Sequence, residues 1–251
     1  MSDRSVNAVL VIAPLVEEMR ALARSLGVTC PSRGEVIGTE VRGQEVLLAV
    51  VGDGASEAAA TARRMAASHQ PSLVIIAGVA GALSPGLEVG DVTVAERVVS
   101  DDGREALPDP HWVDIAASQA GAHRATALCT AEILCTAEAK ARAWRDAGSP
   151  APATVDLESA ALVDVASERG VASVVLRAIS DTAREDLPLD FNSCLAERGS
   201  VARGRVIRRA LLSPRSIRGL WRLNRRLRSC AGKLAVAVQL LLEQTQGSAT
   251  R

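Results

Sequence analysis

Between residues 6 and 190 the chain alternates short aliphatic runs with helix-like stretches, an order that few architectures accept. Residues 6–13 are almost continuously aliphatic, as suits a strand covered on both faces. Beyond Pro14, residues 15–26 have helical spacing and Gly27 closes them. Segments 36–41 and 45–51 flank Arg42-Gly43-Gln44 as a predicted hairpin, and 55–69 is an alanine-rich helix. A second buried strand is expected over 72–79, opening into Gly78-Val79-Ala80-Gly81, and another over 89–95 after the turn Ser84-Pro85-Gly86. Residues 100–123 are polar, carry two prolines and predict an irregular excursion. Helices are predicted over 137–147 and 158–169, and strands over 154–157 and 171–180. This order specifies an α/β fold, a three-layer sandwich with a central mixed sheet, over residues 1–195. From residue 196 the pattern changes to basic helices with leucines, divided at Pro214 and Gly232. Residues 196–251 are therefore expected as a basic helical extension packed on or beside the same domain.

At 251 residues, 48% apolar and 23% charged, the chain has the size of one α/β unit and excludes disordered, collagen-like and disulfide-rich classes. Its apolar runs, such as 72–82 and 234–242, are shorter than the roughly 18–20 residues of a membrane span. Residues 1–8 lack the zones of a signal peptide, so a cytoplasmic location is the expectation. Five cysteines without CxxC spacing suggest reduced thiols and no metal site. Aromatic residues make up only 2%, so few rings are available to stack on a ligand. The net charge of zero hides an asymmetry: residues 1–197 sum to −12 and residues 198–251 to +12.

Four constellations sit at predicted strand ends, where open α/β sheets place ligand crevices. Glu17-Glu18 opens the first helix, where a carboxylate is also simply a good dipole partner. Gly52-Asp53-Gly54 leads into the second helix, and such a turn lets backbone approach a ligand. Gly78, Val79 and Ala80 lie in a small-residue stretch whose amides are open to a sugar or an anion, or which serves a tight strand crossing. Asp156-Leu157-Glu158 and Arg177-Ala178-Ile179-Ser180-Asp181 put acids at the ends of apolar strands, where an unpaired carboxylate would be expensive to bury.

In this sequential order, the motifs resemble the nucleoside phosphorylase and nucleosidase superfamily, most closely its hydrolytic purine nucleosidases. The resemblance implies that Glu18, with Glu17 the alternative register, orients and deprotonates an attacking water. It implies that Glu158 grips the ribose hydroxyls and that Asp181 protonates or hydrogen-bonds the departing purine. Arg177 is implied as an acid-orienting or structural partner. Gly78, Val79, Ala80, Leu134 and Leu157 are the implied pocket wall. No cofactor is implied, and a homo-oligomer is. Phosphorylases of this superfamily carry an arginine near the first glycine turn or ahead of the small-residue stretch. Residues 12–16 and 74–82 have none, so hydrolysis is expected over phosphorolysis. Methylthioadenosine and S-adenosylhomocysteine nucleosidases have serine where Val79 stands, methionine where Leu157 stands and an aromatic near Ile133-Leu134, so this pocket is expected to be more aliphatic. A non-catalytic nucleoside-binding protein is the competing class, but binding alone requires neither a water activator nor a leaving-group acid.

Residues 198–233 carry twelve basic side chains and no acid, interleaved with leucines and Trp221. Two uses stand open: peripheral contact with an anionic membrane, or a cap on the acidic remainder of the chain. Nucleic-acid binding is not expected, because interleaved aromatics and recognition motifs are lacking. The enlarged C-terminus and Asp186-Leu187-Pro188 resemble the hopanoid-biosynthesis-associated nucleosidases, which implies a lipid-linked purine nucleoside, adenosylhopane, as substrate.

Overall fold

The computed structural model describes residues 8–194 and 214–245. Its elements are β1 (Val9–Ala13), α1 (Val16–Ser25), β2 (Val36–Val41), β3 (Gln44–Val50), α2 (Ala55–His69), β4 (Leu73–Ala82), β5 (Val92–Ser100), β6 (Glu105–Ala106), α3 (Pro110–Gln119), β7 (His123–Cys129), α4 (Ala137–Asp146), β8 (Ala153–Asp156), α5 (Ser159–Ser167), β9 (Ala172–Asp181) and α6 (Pro214–Gln244). The described strands form one mixed sheet in the order β2-β3-β1-β4-β8-β7-β5-β6, with β9 paired to both β4 and β5. Strand β9 runs parallel to β4 and antiparallel to β5, while β4–β8, β8–β7 and β7–β5 complete the circuit. Five strands thus close into a small distorted barrel, and β1, β3 and β2 extend from β4 as an open wing.

Helices cover both faces of the wing's inner strands, which explains why β1 is aliphatic throughout and β3 is aliphatic from Val46 to Val50, whereas the edge strand β2 alternates half-buried and exposed residues. Val9 and Val11 of β1 point into a core shared with Met19 and Leu22 of α1, Trp112 of α3 and Leu234, Val238 and Leu241 of α6. Leu10 and Ile12 point the other way, against Ala58, Ala62 and Met65 of α2 and Leu162 and Val163 of α5. The result is the expected α/β sandwich with a mixed sheet.

Several elements differ from expectation, among them β7, for which no strand is expected from the sequence. Residues 100–123 are not irregular: β6 and α3 lie within them, and α3 starts at Pro110 with the Asp109 side chain accepting from the amides of His111 and Trp112. Strand β4 runs on to Ala82 through its glycines, because it stays paired with β9 and then with β8 at Gly81 and Ala82. Helix α6 is continuous across Gly232. The cost of a glycine in a helix, about 1 kcal/mol, is outweighed by the burial of Ala231, Leu234, Ala235, Val238, Leu241 and Leu242 around it. The basic stretch 198–213 lies outside the described residues.

Candidate active site

The carboxyl ends of β1, β3, β7, β8 and β9, together with the small-residue stretch of β4, surround one cavity of about 660 Å³. Its wall includes Glu17, Glu18, Val79, Ala80, Leu134, Leu157, Glu158 and Asp181. Gly78, expected on that wall, stands directly behind it, as does Arg177, expected as an acid-orienting or structural partner. A Cβ at Gly78 would collide with the Arg177 guanidinium and lie 3.2 Å from Glu18 Oε1, so glycine is needed there for space, and the site differs from an amide cradle in this respect.

Glu18 sits in the first turn of α1, where one carboxylate oxygen accepts from the Leu15 amide at 2.9 Å and the other from the Val79 amide at 2.9 Å. Only 8% of the residue is exposed, and that burial pushes its pKa up to about 6 against the pull of the Val79 amide and the Arg177 charge. Glu158 is the residue before α5. Its Oε1 accepts at 2.8 Å from the amide of Gly54, whose positive φ of 89° opens α2. Burial, reinforced by the neighbouring Asp156 charge, pushes the Glu158 pKa up to about 8.

Asp156 and Arg177 form a buried ion pair behind these two acids, with Nε to Oδ2 at 2.8 Å. Asp156 also accepts from the amides of Glu158 and Ser159, capping α5, and from the Ser159 hydroxyl. Burial opposes its charge, yet Arg177 and Ser159 hold its carboxyl below the usual range. Arg177 spends Nε on Asp156 and Nη2 on the Ser159 hydroxyl, leaving Nη1 facing the Gly78 backbone without a hydrogen-bond partner. Its positive charge lies among Asp156, Glu18 and Glu158, which tempers the burial of three carboxylates in one region.

Asp181 ends β9. Its Oδ1 accepts from the Ser180 hydroxyl and its Oδ2 from Lys140 Nζ, each at 2.5 Å. Lys140, 1% exposed, spends its other two protons on the carbonyls of Thr182 at 2.9 Å and Glu185 at 2.8 Å. The Glu185 carboxylate in turn caps the Thr182 amide and receives Arg226 of α6 on both oxygens, at 3.0 and 3.1 Å. At the outer end of the cavity stand Ile133, Leu134, Leu187, Phe191 and, from α6, Leu223 and Leu227. Asn192 fixes this mouth by exchanging two hydrogen bonds with the Ile133 backbone, both at 2.9 Å.

The sequence reasoning missed Lys140, Arg33 and the lining contributed by 187–191 and α6. Lys140 left one trace: it is one of only two lysines in a chain that otherwise uses arginine for every basic side chain. Lysine fits where three protons must diverge from one nitrogen, which a planar guanidinium cannot arrange. Arg33 lines the cavity from a loop, packs against Gly52 and pairs with Glu57. No local pattern marks it. Among the described residues, no group of three His, Cys, Asp or Glu side chains is placed to hold a metal ion.

A sandwich whose strand ends bring separated carboxylates to one largely apolar, nucleoside-sized cavity has the build of the α/β enzymes that break N-glycosidic bonds. The chain belongs to the Phosphorylase superfamily, whose sequence model matches residues 8–211. It is similar to 5′-methylthioadenosine/S-adenosylhomocysteine nucleosidases of Shewanella halifaxensis, at 24% identity over 66% of this chain and 80% of the relative, and of Shewanella oneidensis, at 26% identity over 66% and 78%. Its fold matches the crystal structure of the corresponding nucleosidase of Helicobacter pylori, with a TM-score of 0.73 at 17% identity over 95% of this chain and 99% of that one. A futalosine hydrolase mutant of the same organism matches with a TM-score of 0.74 at 16% identity, over 95% and 99%.

Proposed function

We propose that the chain is a purine nucleosidase that hydrolyses the N-glycosidic bond of an adenine nucleoside. The observation carrying this is the convergence of Glu18, Glu158 and Asp181 on one cavity from three different strand ends. Cleavage needs three things in different places: a nucleophile, a partner for the cationic sugar and a proton for the departing base. With a pKa near 6, Glu18 is ionised at neutral pH and takes the proton of an attacking water, whose oxygen bonds to the sugar carbon as the C–N bond breaks. Glu158 accepts from the ribose hydroxyls; burial holds its pKa near 8, and the positive charge that develops on the ring favours its ionised form, so the interaction strengthens toward the transition state. Asp181 passes the departing purine nitrogen a proton drawn from solvent and is again the carboxylate that Lys140 balances, while the proton Glu18 takes from the water returns to solvent, so that the net transfer is from water to base.

Water is favoured over phosphate because the wall at the nucleophile's position is a carboxylate, Glu18. The arginine that lines the cavity, Arg33, is engaged by Glu57. For the 5′ substituent, the relatives' names support a methylthio or homocysteinyl group first. A lipid-linked adenosine such as adenosylhopane is the second reading, favoured by the aliphatic mouth of Leu134, Leu187, Leu223 and Leu227. A homo-oligomeric state belongs to the same proposal. The experiment is adenine release from methylthioadenosine, S-adenosylhomocysteine and detergent-dispersed adenosylhopane, each with and without phosphate. Release without phosphate is expected, and the preferred compound assigns the substituent. Strict phosphate dependence overturns hydrolysis, and no release from any of the three overturns the assignment.

A further inference from the structure

Helix α6 presents two unlike sides over its first half. Leu223 and Leu227 turn inward and complete the cavity mouth, and Arg226 is clamped on Glu185. On the outward side, one turn apart, Ile217 is 46% and Trp221 65% exposed. Arg218, Arg222, Arg225 and Arg228 flank these two, all exposed, and none makes an ion pair among the described residues. The sequence holds no acidic residue between 214 and 242, so nothing on the helix itself neutralises this face.

An isolated large apolar pair ringed by arginines has the chemistry of an anionic lipid interface. An indole sits at headgroup depth, and guanidinium groups reach phosphates while their stems cover apolar surface. Nucleic acid would call for stacking rings, and Trp221 is the only aromatic residue between 192 and 251. We propose that this face of α6 docks on an anionic bilayer, with Trp221 and Ile217 in the headgroup region and the cavity mouth opening beside the membrane. Transfer of a lipid-linked nucleoside from that bilayer rests on the lipid-linked reading above; the docking itself does not.

The test is co-sedimentation of the full chain with vesicles of phosphatidylcholine alone and of phosphatidylcholine mixed with phosphatidylglycerol, at low and high salt. Binding to the mixed vesicles alone is expected, weakened by salt, and falling about fivefold for each arginine charge removed. Arg222→Glu with Arg225→Glu, and separately Trp221→Ser, should each lower vesicle binding while leaving the circular dichroism spectrum and adenine release from a soluble nucleoside as in the parent. Absence of vesicle binding, equal binding to neutral vesicles, or variants that bind like the parent each overturn the proposal. Self-association or RNA binding that depends on Trp221 without vesicle binding overturns it in favour of those partners. Because docking is read without substrate and the reaction on a soluble nucleoside, failure of one leaves the other standing.

Discussion

Glu158 shows how a single side chain can oppose the stability of its own fold. Its carboxyl titrates near 8 in the folded chain, against an ordinary value of 4.5. Between those values the unfolded chain has lost the proton and the folded chain keeps it, so stability falls as pH rises across that window. Glu158→Gln removes the titration while keeping an acceptor for the Gly54 amide. The variant should match the parent's Tm near pH 4.5 and exceed it near pH 8, with activity lost at both; thermal scans across pH check this, and an advantage independent of pH would contradict it. Glu18 gives the complementary kinetic expectation. It must be ionised to take a proton, so kcat/KM should fall tenfold per pH unit below about 6. Glu18→Gln should lose about 10²–10⁴-fold in kcat, and pH–rate profiles of the parent, with kcat for the variant, read both effects. These acids were legible because a carboxylate at the end of an aliphatic strand needs a reason to be there. Lys140 was not, because a lone lysine on a charged helix looks solvated until the fold brings Asp181 to it.

Between elements, Lys140 fastens α4 to the end of β9, and α6 fastens the same turn from outside through Arg226 and Glu185. The two ties have different weights. Lys140→Met leaves the buried Asp181 carboxylate without its cation, a change that typically costs about 3–5 kcal/mol. Glu185→Gln breaks a pair whose side chains are each more than a third exposed and should cost under about 1 kcal/mol. If Lys140 positions Asp181 for proton delivery, Lys140→Met should lower kcat far more than it raises KM, and Lys140→Arg should not restore it. Equal loss in kcat and 1/KM, or rescue by arginine, would reduce Lys140 to a structural tie; steady-state kinetics at a temperature where each variant is folded decide it. Element recognition followed the same division between local and distant causes. Ala55–His69 and the hairpin of β2 and β3 are written in their own spacing and turn residues. Helix α3 escaped although Asp109-Pro110 is a helix start, because the polar residues around it hid three buried positions, Trp112, Val113 and Ala116.

What the chain does not spell out locally is how β9 closes the barrel and where α6 belongs. Strand β9 pairs with β4 about 100 residues earlier in the chain and with β5 about 80–90 residues earlier, and no short pattern encodes that choice. For α6 the difficulty was counting charge by segment instead of by face. The +12 of residues 198–251 marks an extension, yet the described helix carries its last basic residue at Lys233 and then buries Leu234, Val238, Leu241 and Leu242 in the core shared with α1 and β1. Each buried leucine of this kind is worth about 2–5 kcal/mol on truncation to alanine, against about 5–15 kcal/mol for a whole domain. Ending the chain at residue 213 should therefore abolish folding even though Glu18, Glu158 and Asp181 all remain, and Leu241→Ala alone should lower stability by a few kcal/mol. Exposed Ile217→Ser, thirteen residues before the first core position at Cys230, should change it by no more than about 0.5 kcal/mol. Urea unfolding of the three chains checks this: a truncated chain that unfolds cooperatively like the parent would show that α6 is an appendage, whereas its collapse makes the helix that borders the cavity mouth part of what holds the site's strand ends together.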